Sequence, residues 1–329
     1  MEHIDCGKRA RQLAWSALLA VVLTGGAHAQ GFPNRPVTFI SPYAPGGTTD
    51  ILARILAPRL QQALGQPFLV EYRPGAGGNV GTGSVAKSPG DGYTILMGAS
   101  GPLSINVTLF KSLPYDPTTD LVPVVHVASV PLVLVVHPTS PATSVRALLE
   151  QMKAKPDGYN YASAGTGTPQ HLSAELLKLL TGVRATHIPY KGSGPAINDL
   201  MGGQVSFGFE SMIAVLQQVK GGKLQALGVT DARRSPVLPD VATLAESGVP
   251  GYEAIAWYGV MAPKGTPPAI TAVLNAEMRK VLGSAEVKQR LLDLGSADVA
   301  GTPEQFGAFI KTEIAKWGKV VRASGASAE

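Results

Sequence analysis

The chain has 329 residues, 45% of them hydrophobic, with 28 basic side chains against 23 acidic ones and a formal net charge of +5. That length allows two domains of ordinary size, each with its own core, and the scattered Lys and Arg form no run dense enough for a nucleic-acid surface. The one cysteine, Cys6, leaves no pair for a disulfide framework.

Residues 1–29 have the layout of a secretory signal peptide: Lys8, Arg9 and Arg11 ahead, an apolar run over 13–23, then Ala27, His28 and Ala29 as a small-residue cleavage pattern. A run of about eleven apolar residues is too short for a bilayer, which needs roughly twenty. Cleavage is expected after Ala29. The leader carries three basic and two acidic residues, so the mature chain keeps +4 and no thiol. Cys6 precedes the apolar run and is not placed for a lipid anchor. A thiol-free chain suits an oxidising compartment, and the periplasm is the expected destination.

Further along, VTFIS (37–41) predicts a strand, and apolar residues at helical spacing predict a helix over 49–64 ended by Gly65. Strands are predicted at 68–72, 94–98, 185–190, 204–209 and 224–230. Helices are predicted at 144–155, 170–180, 211–220, 268–282 and 303–321. The apolar stretch 122–136 reads as two strands interrupted by Pro123, His126 and Pro131, forming a crossover, and 252–261 reads as a return crossover. Alternation of this kind predicts α/β architecture: parallel-rich sheets with helices on both faces.

Two loops stand out. GGTT before one helix and AGTGTPQ before another each follow a strand and open a helix. A helix start exposes amides without intrahelical partners and the positive end of a dipole, so an anion there needs no cationic side chain. Gly46, Gly47, Thr48 and Thr49 supply such amides in the first loop, and Gly165, Thr166, Gly167 and Thr168 in the second. The competing reading is that the threonines only cap their own helices. Asp50 is expected to turn from the ligand and pair with Arg54.

Other chemistry finds little support. YRPGAGGNVGTG lacks the third glycine of a dinucleotide fingerprint, because Val80 stands there, and GASG and KGSG lack the flanks of nucleophile or phosphate motifs. The histidines show no metal-ligand spacing, though His171 is placed to steady the second loop. No metal and no cofactor are expected.

PYAPGGTTDILARILA, VEYRPGAGGNVGTG, AGTGTPQHLSAELL, IPYKGSGPAINDLMGGQVSFGF and WYGVMAPKGTPPAI, in this order, resemble the Bug (TctC-like) family, the periplasmic substrate-binding proteins of tripartite tricarboxylate transporters. The resemblance implies a two-lobed type II periplasmic binding protein, a Venus flytrap. Lobe 1 would comprise 30–128 with 255–329, and lobe 2 would comprise 129–254. It implies that the two loops form a pincer on a ligand carboxylate, and that the partners are a small organic carboxylate and membrane permease subunits. The chain would itself be a monomer without a membrane span. Nominated for the pocket wall are Tyr43, Ala44, Ser100, Ser104, Tyr190 and the 209–211 stretch. There Glu210 either faces the cleft, favouring a ligand ammonium or hydroxyl, or is a solvated acid capping the next helix. Trp257 and Tyr258 read as hinge packing. The rival functions are a ligand-presenting part of a sensory system and a secreted α/β enzyme using Ser or His.

Overall fold

A computed structural model describes residues 31–297 and 299–328; the leader read at 1–29 lies outside the described residues. The unit from Arg35 onward starts with two β-α-β turns. Strand β1 (Val37–Ser41) leads through helix α1 (Thr48–Leu64) to β2 (Phe68–Tyr72), and then through α2 (Asn79–Ala86) to β3 (Thr94–Ala99). β1 lies between β2 and β3, parallel to both. Val37, Phe39 and Ile40 are buried on both faces, as a continuous apolar run in a central parallel strand requires. α1 turns Leu52, Ala53, Leu56 and Leu60 inward at helical spacing, and it ends at Gly65, whose φ of 75° puts it in the left-handed conformation that glycine adopts without strain.

After a short π turn and the one-turn helix α3 (Asn106–Leu109), the chain enters β4 (Leu121–Val136). This is one 16-residue strand rather than the two that the prolines predicted. Register shifts near Pro123 and between His126 and Ala128 absorb the missing amide and the local bend, which is how a strand tolerates proline. Up to Pro131 it pairs antiparallel with β9 (Ile255–Pro263). From Leu132 onward it pairs with β7 (Phe207–Ser211) and β8 (Gln225–Val229) instead. β4 is thus the crossover expected there, made by a strand that changes partners.

The second half repeats the β-α-β pattern. α4 (Val145–Ala154) precedes β5 (Asn160–Ser163), α5 (Pro169–Thr181) and β6 (Thr186–Pro189), and α6 (Ser193–Met201) leads into β7 and α7 (Met212–Lys220). The strand order is β2-β1-β3-β9-β4-β7-β5-β6, with β8 also on β4. β9 returns the chain to the first half, and α8 (Pro268–Gly283), α9 (Ala285–Asp293) and α10 (Pro303–Ser324) follow. α10 opens with a capping box between Thr302 and Gln305. It lays Phe306 and Ile310 on a core cluster with Ile40, Leu96, Leu103, Leu121 and Trp257. Its buried Glu313 accepts from the indoles of both Trp257 and Trp317, at 2.9 and 3.0 Å.

Candidate functional site

Both loops open helices, but they use their amides differently. In the first, Gly47 is the N-cap of α1 in extended conformation, with no side-chain cap. The first intrahelical bond runs from the Ile51 amide to the Gly47 carbonyl, so the amides of Thr48, Thr49 and Asp50 have no acceptor within the helix. Asp50 pairs with Arg54 at 2.6 Å, as its spacing predicted, and also takes the Tyr72 hydroxyl. Its other oxygen accepts the Gly46 amide at 2.8 Å, so this donor is satisfied inside the loop. Burial pushes the Asp50 carboxyl up, but the Gly46 amide, Tyr72 and Arg54 outweigh it and hold the carboxyl below its usual range.

In the second loop Thr168 caps α5 and its hydroxyl donates to the Gly165 carbonyl, which also takes the Thr168 amide. The Gly165 amide goes to Ser163 Oγ and the Gly167 amide to His171 Nδ1, at 3.2 Å. Three of this loop's four predicted donors are therefore engaged within it, and His171 steadies it. The Thr166 carbonyl packs against Gly77, where φ is +61° and any Cβ would overlap that oxygen.

A cavity of about 20 Å³ lies between the two helix starts, lined by Tyr43, Gly47, Thr48, Thr49, Ala99, Ala164, Pro169, Gln170, Ser193 and Tyr258. That is about the room one water needs. Of the predicted residues, the cavity wall includes Tyr43, Gly47, Thr48 and Thr49. The second loop reaches it through its flanks, Ala164, Pro169 and Gln170. Gly46, Ala44 and residues 165–168 are not part of the lining, and the Ala44 amide is bonded to the Lys191 carbonyl at 2.9 Å. Ser104 donates to the Ser100 carbonyl, and Ser100 Oγ accepts the Trp257 amide, so both serines brace the turn after β3. Tyr190 is turned to Asp199, to which its hydroxyl donates at 2.6 Å, and it is not part of the lining.

Two readings are corrected here. Tyr258 lines the cavity instead of packing a hinge, whereas Trp257 is buried in the core. Glu210 is wholly buried, which removes the solvated-cap alternative. Neither of its oxygens makes a well-aligned hydrogen bond, although Ser193, Gln170 and the Ser211 amide lie close by. Burial raises its pKa to about 8 against the pull of Ser193, Gln170 and the Ser211 amide. The next residue, Ser211, stands at the N-cap of α7 without a side-chain capping bond, and its hydroxyl instead accepts from Thr48 Oγ1 at 2.6 Å.

Ser193 and Gln170, hydrogen-bonded to each other at 3.1 Å, were missed from sequence. KGSG lacks the flanks of nucleophile and phosphate motifs, yet it places Ser193 at a third helix start. Ala99 and Ala164 carry no chemical signal, although Ala99 ends β3 and Ala164 directly follows β5. Among the described residues no cluster of three or more His, Cys, Asp or Glu is arranged to hold a metal, and no helix is long and apolar enough to cross a membrane.

The model of the tripartite tricarboxylate transporter family receptor matches residues 52–326. The chain belongs to this family. It is 46% identical over 299 residues to protein BugT of Bordetella pertussis, covering 91% of this chain and 92% of that one. An R. palustris protein solved with adipate superposes with a TM-score of 0.88 at 39% identity, covering 90% of this chain and 99% of its own. MatC from Rhodopseudomonas palustris, solved with bound malate, gives 0.85 at 35% identity over 88% and 100%. The fold is accordingly the two-lobed type II periplasmic binding fold that these solute-binding relatives share.

Proposed function

We propose that this chain is a periplasmic solute-binding protein that closes its two lobes on a small organic carboxylate and delivers it to a tripartite tricarboxylate-type permease. The observation that carries the reading is the cavity itself. It is walled by a helix start, hydroxyls and a side-chain amide, with no lysine, arginine or histidine among its lining residues. Such a wall recognises an anion through amides and a helix dipole, in a dry setting where each hydrogen bond is strong. Relatives solved with adipate and malate support a dicarboxylate as the solute class.

The carboxylate is assigned to the amides of Thr48 and Thr49 with Gly47, beside the hydroxyls of Thr48, Ser193 and Tyr258. The flanks of the second loop, 165–168, close over it, and Gln170 completes the wall. Lobe 1 is assigned to 30–128 with 255–329 and lobe 2 to 129–254. Bound solute favours the closed form by its greater affinity for that form. The leader at 1–29 supports export, and the protein is expected to act as a monomer.

The test is thermal-shift screening of the mature protein against adipate, malate and benzoate, repeated with Gly47→Val. Gly47 has φ −91° and ψ 177°, a conformation valine adopts readily, and a Cβ there would stand 3.4 Å from that of Ser193. The variant is expected to fold and to lose the ligand-induced shift. An undiminished shift in Gly47→Val would remove the helix-start site.

A further inference from the structure

Next to three residues of the cavity wall, Ser193, Gln170 and Tyr258, stands a side chain whose needs the fold leaves unmet. Glu210 sits on β7 opposite Val133 of β4, entirely buried, with both oxygens unpartnered. Ser193 and Gln170, which approach it, both line the cavity, and so does Tyr258, which feels its charge. An orphaned carboxyl in a dry site is costly, and structures rarely keep one without a use.

The surroundings indicate its form. From α5 it meets neutral Gln170, while His171 and Glu175 on that helix turn to the Gly167 amide and to Tyr161 and Lys178. From α6 it meets Ser193, while Asp199 is held by Tyr190. β4 and β5 present Val133 and Ala162 to this part of β7, and Met212 opens α7 beside it. Tyr258 is the titratable group facing it, and burial pushes that phenol up to about 12. Among the described residues no cationic side chain shifts Glu210, so two carboxylates side by side here, its own and a ligand's, would each disfavour the other's ionised form.

We propose that Glu210 binds the solute as a neutral acid, its O–H donating to a ligand oxygen, so that binding above neutral pH takes up a proton. This rests on the carboxylate reading above and adds to it a specificity device: the site selects a ligand that bears a hydrogen-bond acceptor beside Glu210. A neutral carboxyl supplies one donor and keeps acceptor capacity, and it accounts for an acid standing where an anion is received. Nothing is transferred between protein and ligand; the proton enters from solvent and stays on Glu210. Burial that raises the pKa to about 8 places the onset of the effect just above physiological pH.

The experiment is isothermal titration calorimetry of the mature protein with adipate, malate and benzoate from pH 6 to pH 9, in buffers of different ionisation enthalpy. Wild type is expected to bind about tenfold more weakly at pH 9 than at pH 7 and to take up close to one proton per ligand at pH 9. E210Q retains a donor and cannot titrate, so its affinity is expected to be flat with pH and its proton uptake nil. Flat wild-type affinity without proton uptake overturns the proposal while leaving carboxylate binding intact. Affinity that rises with pH overturns it too, because Glu210 would then act as an anion. Absence of binding by all three acids takes down the carboxylate reading and this inference with it.

Discussion

Glu210 carries a consequence for the unbound protein as well. Its ordinary pKa is 4.5 and burial raises the folded value to about 8. Between those values the native state keeps a proton that the unfolded chain releases, so stability falls as pH rises across that window and levels off above it. E210Q removes the effect. Urea unfolding of the two proteins is expected to coincide most closely near pH 4.5, with E210Q gaining on wild type up to pH 8, by a few kcal/mol at most. A constant gap would mean that Glu210 is not held neutral.

The histidines act in the opposite sense. Burial lowers His126 and His171 to about 4 and His187 to about 3. His126 is stacked on Phe306 and Phe309, and His171 on His187 at 4.2 Å. Their folded pKa values are depressed, so the stability that comes from keeping them neutral is present above pH 6.5 and lost as pH falls towards 4. Replacing His126 with phenylalanine is expected to shrink the loss of unfolding free energy between pH 7 and pH 4.5. An unchanged loss would assign the acid sensitivity elsewhere. Protonation of His171 Nδ1 would also break its bond from the Gly167 amide, which ties the second loop to the same range.

Among elements, α10 holds the first half together through one acid. Glu313 accepts from Trp257 on β9 and Trp317 on its own helix. Glu313→Leu would leave two buried indole N–H groups without an acceptor, at about 1–3 kcal/mol each. The expected lowering of the chemical denaturation midpoint, together with red-shifted tryptophan emission, checks this. A midpoint equal to wild type would show that the two indoles find other partners.

Elements were also where the sequence was most readable. α1 and α10 announce themselves by apolar spacing and by Gly65, Thr302 and Pro303 at their ends. β4 was read as broken because proline normally ends a strand; its bulges and its change of partner at Leu132 are tertiary events. α6 begins with Ser, Gly and Pro, residues typical of turns, and its start is shaped by contact with the first loop: at Gly194 a Cβ would overlap the Pro45 carbonyl. The helix-start loops were legible from glycine and threonine alone. Which amides each loop keeps for itself was not, because Asp50 and His171 reach those amides only through the folded backbone.

For the molecule as a whole, the space between the two helix starts is narrow. A cavity of about 20 Å³ is far below the roughly 300 Å³ or more that binding pockets usually offer, so a dicarboxylate enters only if the walls separate. Beside the cavity, two of the bonds between the assigned lobes are Thr48 Oγ1 to Ser211 Oγ at 2.6 Å, and the Ala44 amide to the Lys191 carbonyl. Thr48→Val removes the first. Small-angle scattering of this variant without ligand is expected to give a larger radius of gyration than wild type, with adipate restoring compactness less completely; identical curves would show that the bond does not help to hold closure.

The account centres on where the negative charge of the solute rests. A crystal structure of the mature protein grown with adipate measures this directly. It is predicted to place one carboxylate at hydrogen-bond distance from the Thr48 and Thr49 amides, directly or through one ordered water, with a ligand oxygen beside Glu210. Adipate bound away from the start of α1, or neutralised by a lysine or arginine, would contradict it.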